Sequence, residues 1–480
     1  MAAYIDIGIV ILYLLAVLAF GYSFYRKDKT AKSFTRGEGK LPAWALGMSV
    51  FATYVSSISF LALPGNAFAK DWSNYVFSLS IPLAAFIAVR FFVPVYRKLD
   101  SDSAYAFMEQ RFGPWARKYA SACYLLTQLA RMGAILYLLA LPVHSLTGLS
   151  VPFVISVTGL LVLIYASLGG IKAVVYTDAI QGFILIIGAL LCLFSIIGGI
   201  DGGWFGFMEE ATKADKMNLG SLKPDWKESS FWLILVYGLF INLQNFGVDQ
   251  SYIQRYMGAR TEKDAARSVW MGALLYVPVS LLFFLIGTAL WVHYKQMGMA
   301  VDFPADQVLP FYIVNELPVG IKGILIAAIL SAGMSTVSTS VNSSATVLLS
   351  DFFQGKSRSD GESLKLLRIL SAAMAALSIW VAFAFLGVNS ALDVWWALAS
   401  IFSGGILGLF LLGLLSKGTG SAGAILAVAI GVLFVIWTSL SQLLPHLSLS
   451  FGLHPNFVIV IATMIILILG WLFGQFKSKS

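Results

Sequence analysis

Charge is what this chain has least of. Only 12% of its 480 residues are Asp, Glu, Lys or Arg, about half the share usual in a soluble globular protein. That scarcity excludes a water-soluble globule of this length. Cysteine is nearly absent too. Cys123 and Cys192 both fall in apolar stretches, where they read as packing residues and exclude a disulfide framework. The four histidines, His144, His293, His446 and His454, lack metal-ligand spacing. No His-Glu-x-x-His string or nucleophile–base pair lies in the apolar stretches, which argues against an intramembrane enzyme. No filter-like loop or pore-lining repeat is visible, which argues against a channel. No soluble domain is expected after the last apolar stretch, so a sensor-kinase reading is set aside.

What is there is hydrophobic: 59% of residues, with a mean hydropathy of +0.83. The fold class expected is an all-α polytopic membrane protein. Thirteen spans are predicted, over 7–25, 44–68, 76–95, 120–141, 151–168, 177–197, 231–248, 269–291, 321–349, 369–386, 394–415, 422–440 and 457–473. The first has no basic region before it and is followed by Arg26, Lys27 and Lys29, so an uncleaved span is expected rather than a signal peptide. With the N-terminus outside and the C-terminus inside, 23 of the 32 basic residues fall in inner loops, as positive-inside topology requires. Arg255, Arg117 and Lys172 are counted among them. The net charge of +8 therefore reflects topology, and no nucleic-acid partner is expected. The long outer loop 198–230 has room for a short helix, and the inner stretch GKSRSDGE reads as solvated linker.

Five polar features interrupt the apolar pattern. Arg131 stands alone in the stretch 120–141. A charge in the bilayer costs at least ~2.5–3.5 kcal/mol, so it is expected to face a protein-lined cavity and to meet a carboxylate with its planar fork. The second span reads MSVFATYVSSISFLALPGNAF. Its hydroxyls and Pro64-Gly65 predict either a packing face or a broken helix with free carbonyls. The ninth span reads ILSAGMSTVSTSVNSS. Ser335, Ser338 and Thr339 share one helix face, with Thr336 beside them, and hydroxyl oxygens suit a small hard cation. The seventh span ends INLQNFGVDQSYIQR. Its amides suit a polyhydroxylated or amide-bearing solute, and Gly247 permits a break. Asp178, in YTDAIQG, is placed at a membrane boundary, and becomes a ligand candidate only if folding brings it beside Ser338 and Thr339. Two polar, interrupted spans five apart point to a transporter's binding site.

The segments RGEGKLPAWALGMSVFATYVSSISFLALPGNAF, SLGGIKAVVYTDAIQG, the QRY of the seventh span and LSAGMSTVSTSVNSS occur in one order along nearly the whole chain. Together they resemble the sodium:solute symporter family. The resemblance implies a single transmembrane transporter domain over 1–480. Its fold would be an inverted five-plus-five helix repeat of the LeuT-like kind, with spans two to six and seven to eleven as the repeats. One extra span precedes them and two follow. It implies a sodium-coupled secondary active symporter importing a small solute by alternating access. One sodium site would use Ala52, Val55, Ala332, Ser335 and Thr336, and a second would use Asp178, Ser335, Ser338 and Thr339. One or two Na⁺ would thus be the coupling ions.

Within the family the sequence is most similar to bacterial sialic acid symporters, in which an arginine at the position of Arg131 meets the sugar acid's carboxylate. The substrate-facing set implied is Ser56, Ser59, Ser78, Arg131, Asn242 and Asn245. Ser78 stands where those carriers have glutamine, and Tyr54 where they have threonine. Asn242 matches an amide of galactose carriers, and Asn245 replaces their tyrosine gate. The expected solute is an anionic sugar such as sialic acid; a neutral sugar or a monocarboxylate is the alternative. The expected setting is a bacterial inner membrane, with lipid around a chain that works as a monomer.

Overall fold

Within a bilayer every backbone N–H and C=O must be satisfied inside its own segment, so apolar stretches of this length form helices. The computed structural model bears this out. It describes residues 2–24, 30–299, 304–353, 358–387, 398–399, 405–443 and 452–477. In chain order its helices are α1 (Ala2–Tyr22), α2 (Ala31–Arg36), α3 (Ala43–Tyr54), α4 (Ser57–Ala69) and the composite α5 (Ser73–Lys98). Next come α6 (Ala106–Phe112), α7 (Pro114–Thr147), α8 (Val151–Gly198), α9 (Gly203–Lys213), α10 (Phe231–Val248), α11 (Gln250–Gly258) and α12 (Glu262–Gln296). The rest are α13 (Val308–Asn315), α14 (Ile321–Val347), α15 (Asp360–Ala384), α16 (Ile406–Leu415), α17 (Ser421–Leu443) and α18 (Phe457–Lys477).

Among the described residues, ten helices are long and apolar enough to cross a membrane, and the bent pair α3–α4 makes an eleventh. That measure does not reach thirteen, for two reasons. The expected fifth and sixth spans follow each other without a loop as α8, 48 residues in which two helical segments meet at a kink, and are counted there as one. Gly170, at φ 56° and ψ −163°, interrupts it in a conformation only glycine adopts easily. Nine of the 22 residues of the predicted span 394–415 lie outside the described residues, and α16 is its described end. Arg26, Lys27, Lys29, Lys356 and His446 also lie outside them. The short helix expected in the outer loop is α9.

The centre of the molecule is α14. Its most apolar window is 94% buried, against 22% for α1 and 33% for α15, so α14 is walled by protein while the others present a lipid face. This explains its composition. A helix with no lipid contact can carry Ser335, Thr336, Ser338, Thr339, Ser340, Asn342 and Ser343, all buried, provided neighbours satisfy them. Helix α12 lies against both α3 and α4 at two glycines. A Cβ added at Gly272 would stand 2.3 Å from Val50 Cγ1, and one at Gly287 2.1 Å from the Pro64 carbonyl oxygen. Small residues are what allow such approach in membranes.

Two positions read as loop charges are corrected here. Arg117 lies inside α7 with an 8% exposed side chain, bound to Asp351 at 2.7 Å and Glu109 at 2.6 Å. Asp351 also accepts from Ser103 and Ser121, so α6, α7 and the end of α14 are tied together at one face. Arg255 lies in α11 and is wholly buried. Charge counting failed for both because it sees sequence distance from an apolar run, not the carboxylate that another helix supplies.

At the other face, Lys216 donates to the carbonyls of Phe68 and Lys70, both at 2.7 Å, and stands 4.9 Å from the Trp291 ring. It caps the C-terminus of α4, where unpaired carbonyls and the helix dipole favour a cation.

Candidate functional site

The second expected span is broken, but not at its proline. Pro64 sits within α4. The break falls at Val55 (φ −88°, ψ 101°) and Ser56 (φ −100°, ψ 175°), and it turns the two halves by 51°. A helix that ends here leaves its last carbonyls without intrahelical donors. Other helices take them up. Ser335 Oγ donates to the Ala52 carbonyl at 3.3 Å, and Arg131 Nη2 donates to that of Thr53 at 3.1 Å. The break is thus the point where α7 and α14 converge on α3.

The oxygens expected at the first ion site gather at this point. Ser335 Oγ and Thr336 Oγ1 also donate to the Ala332 carbonyl, at 3.0 and 3.1 Å. Val55 is buried at the break itself. Beside it, the buried Ser57 Oγ has no hydrogen-bond partner among the described residues, and buried polar atoms are rarely left so. Hard oxygens in this density fit an alkali cation better than a transition metal. No group of three His, Cys, Asp or Glu suited to a metal occurs among the described residues.

Asp178 corrects another expectation. It is no exposed boundary anchor but is fully buried within α8, beyond the Gly170 break. The fold does bring it to α14: its Oδ2 accepts from Thr339 Oγ1 at 3.1 Å and from Ser49 Oγ at 2.6 Å. Ser338 instead donates to the Ser335 carbonyl at 3.0 Å. The same Oδ2 accepts from Arg255 Nη2 at 2.9 Å, with neither side chain exposed. Arg255 also donates to Ser49 Oγ at 2.9 Å, to Thr339 Oγ1 at 2.7 Å and to the Ser251 carbonyl. Asp178 Oδ1 has no partner among the described residues. A fixed cation therefore already stands at the candidate second site, on one oxygen of the carboxylate, and the other oxygen is uncommitted.

The seventh span also breaks, at Asp249 (φ −82°, ψ 114°) rather than at Gly247. Asp249 caps α11 by accepting from the Ser251 N–H at 2.7 Å. Its Oδ2 lies 3.8 Å from Arg131 Nη1 and 3.3 Å from Gln128 Nε2. Sequence reasoning missed Asp249. The signal was available: an acid flanked by amides at a predicted interruption, in a chain where a buried arginine needed a partner.

The other solute candidates divide into two groups. Ser56 is buried at the break, and Ser59 lies in the first turns of α4, beside the Tyr276 hydroxyl. Ser78 and Asn242 lie between α5, α10 and α12: Ser78 Oγ pairs with Ser280 Oγ at 2.7 Å, and Asn242 Nδ2 donates to Ser80 Oγ at 3.0 Å. Asn242 Oδ1 has no partner. Asn245 is half-buried near the end of α10. Tyr54 fills the space behind the break, with its ring 4.9 to 5.5 Å from those of Phe246, Tyr252 and Tyr276.

This geometry has a counterpart among known proteins. The sodium:solute symporter family model matches residues 34–431. The chain belongs to that family. As a sodium:solute symporter it is an integral membrane protein that couples sodium to a small solute, and it is not an enzyme. It is 32% identical to the sodium/sialic acid symporter SiaT of Proteus mirabilis over 445 residues, covering 90% of this chain and 89% of the relative. It is 31% identical to the sodium/sialic acid symporter NanT of Aliivibrio fischeri, covering 97% and 92%. The substrate-bound outward-open structure of a Na⁺-coupled sialic acid symporter superposes with a TM-score of 0.90 at 30% identity, covering 98% of both chains. The nucleobase-cation symporter Mhp1, at a TM-score of 0.62 and 16% identity, shares the fold alone.

Proposed function

We propose that this symporter imports a carboxylated sugar of the sialic acid class, driven by one or two sodium ions. The observation that carries the reading is Arg131. Its guanidinium reaches the broken helix beside Ser56, is partly exposed, and is the kind of group that grips a carboxylate through two parallel hydrogen bonds. Two relatives at 31–32% identity, both named for sialic acid, support the solute class. Arg131, Ser56 and Ser59 would hold the acid and neighbouring hydroxyls, with Asn245, Asn242 and Ser78 toward the α10 side. The first sodium would lie among Ala52, Val55, Ala332, Ser335 and Thr336. The second would use Asp178 with Ser335, Ser338 and Thr339.

Charge balance links stoichiometry to current. One sodium with a monoanionic solute moves no net charge. Two sodium ions move one positive charge, contributing about 2.3 kcal/mol per 100 mV. The chain would work as a monomer in a bacterial inner membrane, N-terminus outside and C-terminus inside. Its broken helices would lie in inverted repeats formed by the predicted spans two to six and seven to eleven.

The Asp249 contact favours a second reading. A carboxylate 3.8 Å away gives Arg131 a partner from within the protein, and the solute could then be a neutral sugar. Uptake into proteoliposomes decides between them. N-acetylneuraminate should accumulate with a sodium gradient and not with potassium in its place, and its methyl ester should compete poorly. Undiminished uptake without sodium would refute the coupling. Galactose transported better than the acid would establish the second reading.

A further inference from the structure

Away from the ion and solute sites, helices α8 and α15 enclose a lateral groove of about 420 Å³. Ile164, Leu168 and Ile369 give it an apolar lining, and Lys365 and Arg368 stand along one wall. The two cations are three residues apart and so share a helix face. The acids in the first turn of α15 are engaged elsewhere than at Lys365: Glu362 accepts from the Ser359 N–H at 2.8 Å in a capping box, and Asp360 accepts from the Ala31 N–H at 3.0 Å. A second observation is independent of charge. Ser167 also lines the groove, is only 5% exposed, and its hydroxyl has no hydrogen-bond partner among the described residues. A helical serine normally returns its proton to a carbonyl one turn back. Leu160 and Ile369, each 53% exposed, mark the flanking surface as lipid-facing.

We infer that this groove holds one acidic phospholipid. Its phosphate meets Lys365, Arg368 and the Ser167 hydroxyl, and an acyl chain lies along Ile164, Leu168 and Ile369. Basic pockets between membrane helices select such headgroups. A soluble anion would gain nothing from the apolar lining, and a zwitterionic lipid would bring its own ammonium against two cations. The site adjoins the Gly170 break of α8, so its occupant touches the segment leading to Asp178.

The test is lipid retention by the purified full-length protein. The protein is incubated with equal amounts of phosphatidylglycerol and phosphatidylcholine and read by native mass spectrometry. One phosphatidylglycerol should be retained with a preference on the order of tenfold or more, the effect of two cations at a negative surface. The preference should fall as ionic strength rises. Lys365→Gln/Arg368→Gln should abolish it, and Lys118→Gln/Lys417→Gln, which lie outside the groove, should leave it intact. Lys365→Gln alone, at an exposed position, should lower the preference severalfold without disturbing the fold, and Ser167→Val should do likewise. Equal retention of both lipids by the wild type would overturn the proposal. So would a preference that survives the double substitution, or cysteine cross-linking that places a second copy of the chain in the groove.

Discussion

Replacing Asp178 with asparagine separates two roles that the structure superimposes on one carboxylate. Oδ2 faces Arg255, and Oδ1 has no partner among the described residues. The substitution keeps the shape and removes the charge. Stranding a buried arginine by deleting its partner costs about 3–5 kcal/mol. The loss here should fall toward the lower end, because the amide oxygen still accepts and Arg255 keeps Ser49, Thr339 and the Ser251 carbonyl. Apparent thermal stability in detergent should therefore drop. In proteoliposomes, the sodium Hill coefficient should fall from about two toward one. The control is Asp178→Asn combined with Arg255→Gln, which leaves a neutral, mutually hydrogen-bonded pair. It should recover most of the stability, since the stranded charge is gone, while the Hill coefficient stays near one. Pairs in contact are non-additive, and the cycle measures that term. If the double variant regains both stability and two-ion cooperativity, Asp178 is only the counterion of Arg255 and the second sodium site is refuted.

Three further outcomes follow from single contacts. Arg131→Lys keeps the charge but loses the planar fork, and Arg131→Ala loses both. Affinity for a carboxylated sugar should fall about ten- to hundredfold in equilibrium binding, and full affinity in the alanine variant would assign Arg131 to Asp249 instead. Lys216→Met removes the cation from the end of α4; hydrogen exchange at Asn66 to Lys70 should quicken, consistent with a cap worth up to about 2 kcal/mol, and unchanged exchange would show that the cap contributes nothing. His454 joins the outer loop to the start of α18, accepting from the Asn456 N–H at 3.2 Å and lying 3.3 Å from Ser229 Oγ. Burial, and secondarily Lys70, holds its pKa below the usual 6.5. The undocked segment thus binds the proton more readily, so docking is complete above that range and weakens as pH falls. Protease protection of residues 218–230 should decline between pH 7.5 and 5, and His454→Gln should remove the dependence.

Much of the architecture was legible because bilayer physics leaves few options. The span predicted over 231–248 is α10 to the residue, and the serine-rich ninth span is the protein-walled α14. The hydroxyl pattern also pointed to a real convergence, since Ser335 does reach the Ala52 carbonyl across two helices. What was not legible depends on tertiary pairing. Arg255, Arg117 and Asp249 sit in polar strings that resemble loops, and only the packed structure supplies Asp178, Asp351 and Arg131 as their partners. The break in the second span does fall among its clustered hydroxyls, at Val55-Ser56, while Pro64, which could equally have marked a kink, fits within α4. Hydropathy cannot separate these cases. The turn-like GlyGly and Lys172 did mark where the two segments of α8 part, at Gly170.

The contacts at Gly272 and Gly287 bear on how the transporter can move. Val50 belongs to one half of the broken helix and Pro64 to the other, and α12 touches both through glycines that add no side chain of their own. A break by itself is a joint that could flex on its own. Splinted on both halves by one continuous neighbour, it cannot open or close without dragging that neighbour along. Any cycle that exposes the ion site first to one side and then to the other must therefore swing three helical segments as one lever. The corresponding slip has to occur at surfaces these segments share with the rest of the protein, including the contact with α14 where the oxygens gather.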